Sequence, residues 1–372
     1  MSIAKYIANL GTIVARVAVA ALSSASCAAS ASELWDASVA DFPRNAGEAD
    51  DSGRIQRAVD ATPCGVLLVP SGTYEMAATL QVTNHCSLLM HKNATLKAIR
   101  QMEFVLKVNN APTGRAYSRL DFGMFVTGGR IDGNGLASCM ALDGFWHYTL
   151  RDTSFLNGKR FGLRVQGESG GCELVAQNLY FLCKLKGLAG NTGLCVMGSD
   201  GHYTDIVVVD YTTGIHLLSG GSNRLTRCHV WGGCVPSPKH GEMREMLKNS
   251  VNFWIGKNCA AAVLRDCYAD TGTIGFLCEG WETRIFGGSY FWNRRFDPDA
   301  NAVVFKQPGG SMLVSGFCMS KTIPNVKTYE GCGRVEWRDM IYRGDKLDRS
   351  KDFMPAKCRF AGSEPSSVNL AE

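Results

Sequence analysis

The sequence predicts an all-β solenoid closed at its N-terminal end by a helix, on three observations. A short strand motif recurs at Gly162–Val165, Gly193–Val196, Gly214–Leu217, Asn252–Ile255, Gly275–Cys278 and Ala302–Phe305, in steps of 31, 21, 38, 23 and 27 residues. A second motif is interleaved with it, at Leu150–Phe155, Leu225–Val230, Leu264–Ala269, Ile285–Tyr290 and Leu313–Cys318. Ahead of both, Ile55, Ala58 and Val59 fall at helical spacing behind Asp51 and Ser52, either of which suits an N-cap. A unit of about 21–23 residues, with loops inserted in some copies, is the mark of a stacking repeat. Its short β-branched and aromatic runs, punctuated by Gly or Asn, make the repeat a strand rather than a helix.

Taken in order, residues 1–31 stand apart from the fold. They carry Lys5 and Arg16 and no acid, then the apolar run Val17–Ala25 and the small residues Ala29-Ser30-Ala31. That is the layout of a secretory leader, which implies a secreted or cell-surface protein. An uncleaved attachment segment is the alternative, since Ile3–Val14 reads as a short amphipathic helix; it would make the protein virion-associated. The solenoid is assigned to residues 32–345 and a C-terminal tail to 346–372. Within it, Gly65–Val69 reads as a strand, Pro70-Ser71-Gly72 as a turn and Thr79–Val82 as a second strand. The helix before them covers the open end of the stack, where core and strand edges would otherwise meet water.

Composition narrows the function classes. The chain has 372 residues, 41 Gly, 11 Pro and 15 Cys, with 20% charged and 45% hydrophobic residues. Those values exclude a disordered chain, a collagen and a heptad coiled coil. The net charge of +5, from 39 Lys+Arg against 34 Asp+Glu, is no nucleic-acid footprint over this length. After residue 31 no uninterrupted apolar run is long enough to span a membrane. No CxxC pair occurs, and the cysteine spacings lack the histidines of a zinc site.

Alternation within the motifs assigns directions to side chains. The third residue of each first-motif copy should face outward: Arg164, Cys195, His216, Trp254, Leu277 and Val304. A second outward row should hold Tyr180, His229, Tyr268 and Tyr290. Cys228 and Cys267 occupy one position on different coils and read as small core residues rather than a required bridge.

The run Asp50-Asp51-Ser52-Gly53-Arg54-Ile55-Gln56-Arg57-Ala58-Val59-Asp60-Ala61, followed by Val66–Val69 and Pro70-Ser71-Gly72-Thr73-Tyr74, resembles the opening segment of the pectate-lyase-like superfamily. Cys86–Met90 and Ala94–Ala98 continue the pattern, and Gly129–Gly135 resembles the family's first full coil. The resemblance covers residues 36–320 in organisation and is sharpest over 50–98. It implies a single-stranded right-handed parallel β-helix, as in pectin-degrading enzymes, epimerase-like domains and phage tailspikes. The Asn-Thr-Asp, paired Asp, Gly-His-Gly and Arg-Ile-Lys runs of the polygalacturonases are not intact here. Gly201-His202-Tyr203 and Gly214-Ile215-His216 are partial echoes.

The resemblance implies a polysaccharide partner and a glycoside hydrolase or polysaccharide lyase acting on a uronate- or rhamnose-containing polymer. The alternative it leaves open is a non-catalytic, tailspike-like binding module, which could be a homotrimer. Hydrolysis needs two carboxylates, one of them protonated. Asp200, Asp205 and Asp210 lie within eleven residues of one another, and Asp270 and Glu279 flank the strand Gly275–Cys278. Either of the latter two could meet His229 of a neighbouring coil. A lyase would use a base such as His229, Arg227 or Arg265, often with Ca²⁺ on carboxylate oxygens. For substrate binding, Arg164, His216, Trp254 and Tyr268 offer a polar-aromatic mix, with Trp254 able to stack on a pyranose ring. Arg294 and Arg295 sit in the basic-aromatic loop Trp292–Asp297, and Gly232–Asn249 is a long insert that could wall a groove. Asp132 in Ile131–Gly135 reads as a turn residue.

Overall fold

In the computed structural model, strands of three parallel sheets alternate along the chain. We call them sheets A, B and C, with 13, 11 and 10 strands. The structure describes residues 34–109, 123–145, 147–166, 173–185, 190–232, 250–291, 302–321, 326–344 and 359–360. Each coil contributes one strand to A, then B, then C, and every pairing is with the next coil. One coil, for example, runs through Arg224–Thr226 in A, His229–Trp231 in B and Val251–Ala260 in C. The stack is therefore a parallel β-helix. The strand Arg359–Phe360 pairs with sheet A through Glu336 and Trp337. The leader assigned to residues 1–31 lies outside the described residues.

The core is a set of inward side chains stacked coil on coil. Phe253, Phe276 and Phe305 form one ladder on sheet C, with ring centroids 5.0 and 5.2 Å apart. Phe155 and Phe181 form another on sheet B at 4.7 Å. Each buried ring contributes about 1.5–3 kcal/mol by leaving water, and each stack about 0.5–1.5 kcal/mol more. Cys228 and Cys267 are buried at equivalent positions of adjacent coils, both as free thiols.

The first position of the Gly-led motif turns inward at the corner from B to C. A Cβ on Gly193 would sit 2.5 Å from Cγ1 of Val208, and one on Gly162 2.6 Å from the Phe181 ring. Side-chain volume is excluded there, which is why glycine recurs. This inward position holds Val304, because Phe276 pairs with Phe305 and Leu277 with Lys306. Val304 is thus buried, and Lys306 takes the outward place expected for it. Tyr290 is also buried, pairing with Ala269 and donating its hydroxyl to Gly272 O at 3.1 Å. Ser289 holds its place in the outward row.

The N-terminal helix, α1 (Ser52–Asp60), buries Ile55, Ala58 and Val59 against the first coil. Asp51 occupies the N-cap position, yet its carboxylate caps nothing. It accepts from the Arg44 guanidinium at 2.8 and 3.0 Å and from Glu75 N at 2.8 Å. Ser52 Oγ accepts from Ala77 N and Ala78 N, fastening the helix to the coil beneath.

Candidate functional site

The corners decide where a site can be. Between A and B strands the connection is two or three residues throughout, as at Asp205-Ile206 or Asp266-Cys267. From B to C it lengthens to the stretches 183–191, 232–250 and 292–302, and from C to A to 110–124 and 167–174. Sheet C is therefore the one sheet with long connections on both flanks, a rigid floor between variable segments. The insert at 233–249 and the loop carrying Arg294 and Arg295 fall outside the described residues.

The same corners account for three of the expected catalytic carboxylates. Asp200, Asp205 and Asp210 have φ of 56, 56 and 60° and occupy the three successive corners of one coil, C to A, A to B and B to C. The left-handed conformation costs Asp and Asn less than most residues, so the sequence places them there. Asp152, Asn178, Asp205, Arg227 and Asp266 form one such column, each amide donating to the next coil (Asp205 N to Thr226 O, 3.1 Å). Asp205 is also held by both Nε and Nη2 of Arg227 at 2.7 Å. The sheet A strand His202–Thr204 separates Asp200 from Asp205, so the two do not form the carboxylate pair that their sequence spacing suggested. Asp132 is a turn residue as expected, accepting from Asn134 N at 2.8 Å.

On the outer face of sheet C the register builds one continuous row: Lys107, Ala141, Arg164, Cys195, His216, Trp254, Leu277, Lys306 and Glu330. Arg164, His216 and Trp254 share it, as their spacing indicated. Its centre is unusually dry for an outer face, with Cys195 3% and His216 8% exposed. Burial lowers the His216 pKa to about 4, so the imidazole is neutral near pH 7, and its Nε2 has no hydrogen-bond partner. Burial also pushes the Cys195 thiol up to about 11, which keeps it protonated.

The His216 and Trp254 rings stack at 4.1 Å and 10°. One face of the indole is thus already covered, and the other lies toward Leu277 on the next coil. Trp254 presents its edge outward, where Nε1 donates to Glu279 Oε2 at 2.7 Å. Of the indole face expected to stack on a pyranose, one side is taken by His216. Toward the N-terminal end, Arg164 donates to Asp143 at 3.1 Å and lies 3.6 Å from Glu103. Its guanidinium sits 4.6 Å from the centroid of the Phe104 ring. Lys107 also reaches Asp143, at 3.6 Å. The sequence reading missed Glu103, Lys107 and Asp143 because their coils, Phe104–Asn109 and Ser138–Asp143, lack the leading glycine. Ala141 and Lys107 nonetheless repeat the alternation and could have been found by it.

His229 and Tyr268 lie on sheet B, in a row with Tyr180 and Val207. Their rings stack at 4.6 Å and 14°. Asp270, two residues beyond Tyr268, lies 3.9 Å from His229 Nε2 and 3.5 Å from the Tyr268 hydroxyl. Burial first, and then the Asp270 charge, raise the Tyr268 pKa to about 12. Glu279 does not join this group: the whole strand Ile274–Cys278 separates it from Asp270. The carboxylates are therefore distributed over two faces. On sheet C itself, Asp143 and Glu279 stand five coils apart, about 24 Å at ~4.8 Å per coil and well beyond a hydrolytic pair. Among the described residues no cluster of three or more His, Cys, Asp or Glu could cage a metal ion, so these residues do not fit the calcium site of a lyase. No helix among them is long and apolar enough to cross a membrane.

No protein-family model matches this chain, and no curated protein matches it in sequence. Solved structures do match it in fold. An endo-xylogalacturonan hydrolase from Aspergillus tubingensis is 13% identical with a TM-score of 0.58, covering 87% of this chain and 99% of that one. The gp42 tailspike of Acinetobacter phage vb_AbaP_AS12 is 8% identical with a TM-score of 0.58, covering 83% and 59%. PfbA, a surface adhesin of Streptococcus pneumoniae, is 12% identical with a TM-score of 0.56, covering 82% and 86%. The chain shares with these structures the right-handed parallel β-helix fold, single-stranded and capped by one N-terminal helix.

Proposed function

We propose that this protein holds a polysaccharide chain along the outer face of sheet C, outside a cell or on a virion. One observation carries the reading: the dry His216–Trp254–Glu279 group sits in the middle of the one sheet flanked on both sides by long connections. An extended rigid floor with polar and aromatic edges suits a linear sugar polymer. The fold neighbours named as a xylogalacturonan hydrolase, a phage tailspike and a surface adhesin support a polymer ligand and an external location. Arg164 would orient the chain at one end of the row and the Trp254 edge at its centre.

Cleavage of that polymer by a hydrolase or lyase is the second reading, favoured by one feature. His229 lies beside Asp270, as a base oriented by a carboxylate would. Affinity electrophoresis against pectic, alginate, glucan, chitosan and capsular polymers tests binding. Retardation by at least one polymer, abolished by Leu277→Trp, which fills the floor, is the expected result. Retardation by none, or retardation indifferent to that substitution, overturns the binding proposal. New reducing ends would add hydrolysis, and an ultraviolet band from unsaturated uronates would add elimination. If either activity survives His229→Ala unchanged, His229 is not the base. Light scattering on the full chain decides between monomer and homotrimer.

A further inference from the structure

Along the outward row of sheet C the described cations are paired with carboxylates, and an exposed Lys257 outside that row has no ion pair among the described residues. Lys107 and Arg164 share Asp143, and Arg164 also approaches Glu103. Farther along, Lys306 and Lys327 share Glu330 at 3.1 and 3.4 Å. The cations that would attract an acidic polymer to this row are thus already neutralised by the protein's own carboxylates. Glu279 is the exception. It makes no ion pair among the described residues, and its hydrogen bond comes from the neutral indole N–H of Trp254, to Oε2. Its other oxygen keeps free acceptor capacity. An independent observation lies in the same stack: His216, more than nine-tenths buried, has an Nε2 without a partner. A buried polar nitrogen without a bond is costly, and because this one is closed to solvent a sugar hydroxyl reaches it only when the stack opens.

We infer that the centre of sheet C takes a sugar unit that donates hydrogen bonds and carries no anion, a neutral hexose or an amino sugar, and that Glu279 is the residue that excludes uronates. This rests on the reading that sheet C holds the polymer. An ionised carboxylate in a partly dried site strengthens bonds from hydroxyl or ammonium donors and repels a second carboxylate. The uronate polymer implied by the resemblance would meet a like charge at this position. A neutral unit would meet an acceptor, and an amino sugar an ion-pair partner.

An array of neutral, amino-sugar and uronate polymers in several linkages, probed with the full chain and its variants, tests this. The wild type should retain neutral or amino-sugar polymers and leave uronate polymers unbound. Glu279→Gln keeps an acceptor for Trp254 Nε1 but removes the charge. It should weaken an amino-sugar ligand about tenfold and a neutral one less, because charge-assisted bonds are roughly twice as strong as neutral ones. Glu279→Lys should admit uronate polymers. Wild-type retention of uronates that is lost in Leu277→Trp would overturn the inference while leaving the binding proposal standing. Retention untouched by Leu277→Trp, or none on any polymer, would overturn both.

Discussion

Sheets A and C are built from the same backbone and face water with the same alternation, yet their outer surfaces differ. On sheet A the outward row reads Thr127, Arg151, Gln177, Thr204, Thr226 and Arg265, none of them buried. On sheet C the corresponding row passes through Ala141, Cys195 and His216, all buried, before reaching Trp254. Geometry cannot be the cause, since both sheets share coil spacing and direction. The difference follows the corners: sheet A joins B through two- or three-residue turns, whereas long connections enter and leave C. A face beside short turns stays solvated, and its charges are screened. On the dry face a single unpaired nitrogen or carboxylate matters energetically.

The comparison breaks most severely if the floor common to both faces is removed. Phe276 sits between Phe253 and Phe305 in the sheet C ladder. Phe276→Ala should cost about 3–5 kcal/mol in a denaturant titration. A loss below about 1 kcal/mol would mean that the ladder is not a cooperative core.

Acid sharpens the contrast next. The His216 pKa falls from 6.5 when unfolded to about 4 when folded, so the folded state resists the proton that the unfolded state accepts. Stability should be complete above pH 6.5 and should fall as the pH drops from 6.5 toward 4. The full loss is on the order of 3 kcal/mol. His216→Gln should flatten that slope in thermal melts at pH 7 and pH 5, and an unchanged slope would place the acid sensitivity elsewhere.

The smallest effects belong to the solvated side. Arg227→Ala breaks the exposed pair with Asp205 and should cost about 0.2–1 kcal/mol. Arg265→Ala should stay within about 0.5 kcal/mol of the wild type. Neither should alter polymer retention on an affinity gel. A clear loss of binding in either would move the ligand from sheet C toward sheet A.

Much of the fold was legible because stacking repeats its constraints. Glycine recurs wherever a Cβ would strike the core, as at Gly162 and Gly193. Aromatic residues recur wherever rings stack, and the opening helix announced itself through Ile55, Ala58 and Val59. The site was less legible, for identifiable reasons. Asp200, Asp205 and Asp210 looked like a catalytic cluster because a corner's demand for the left-handed conformation selects the residue type that catalysis also uses. Val304 faces inward because a two-residue periodicity fails at a corner, where consecutive residues both point inward, whereas Tyr290 is the middle residue of a regular strand and holds the register place of Ala269, not of Tyr268. The Asp143–Arg164 pair escaped notice because it joins residues of neighbouring coils that no local motif links. Trp254 was placed in the correct row, but sequence could not reveal that His216 already covers one face of its ring.

The aromatic ladder has a mechanical consequence. In a rod whose strands pair only with the coil above and the coil below, cohesion is mostly a chain of nearest-neighbour bonds rather than a property of the whole. A defect at Phe276 would therefore act as a fault plane. It would leave the segment bearing the capping helix intact while the opposite segment unravelled, so that pulling on the two ends should snap the rod at a place chosen by one side chain.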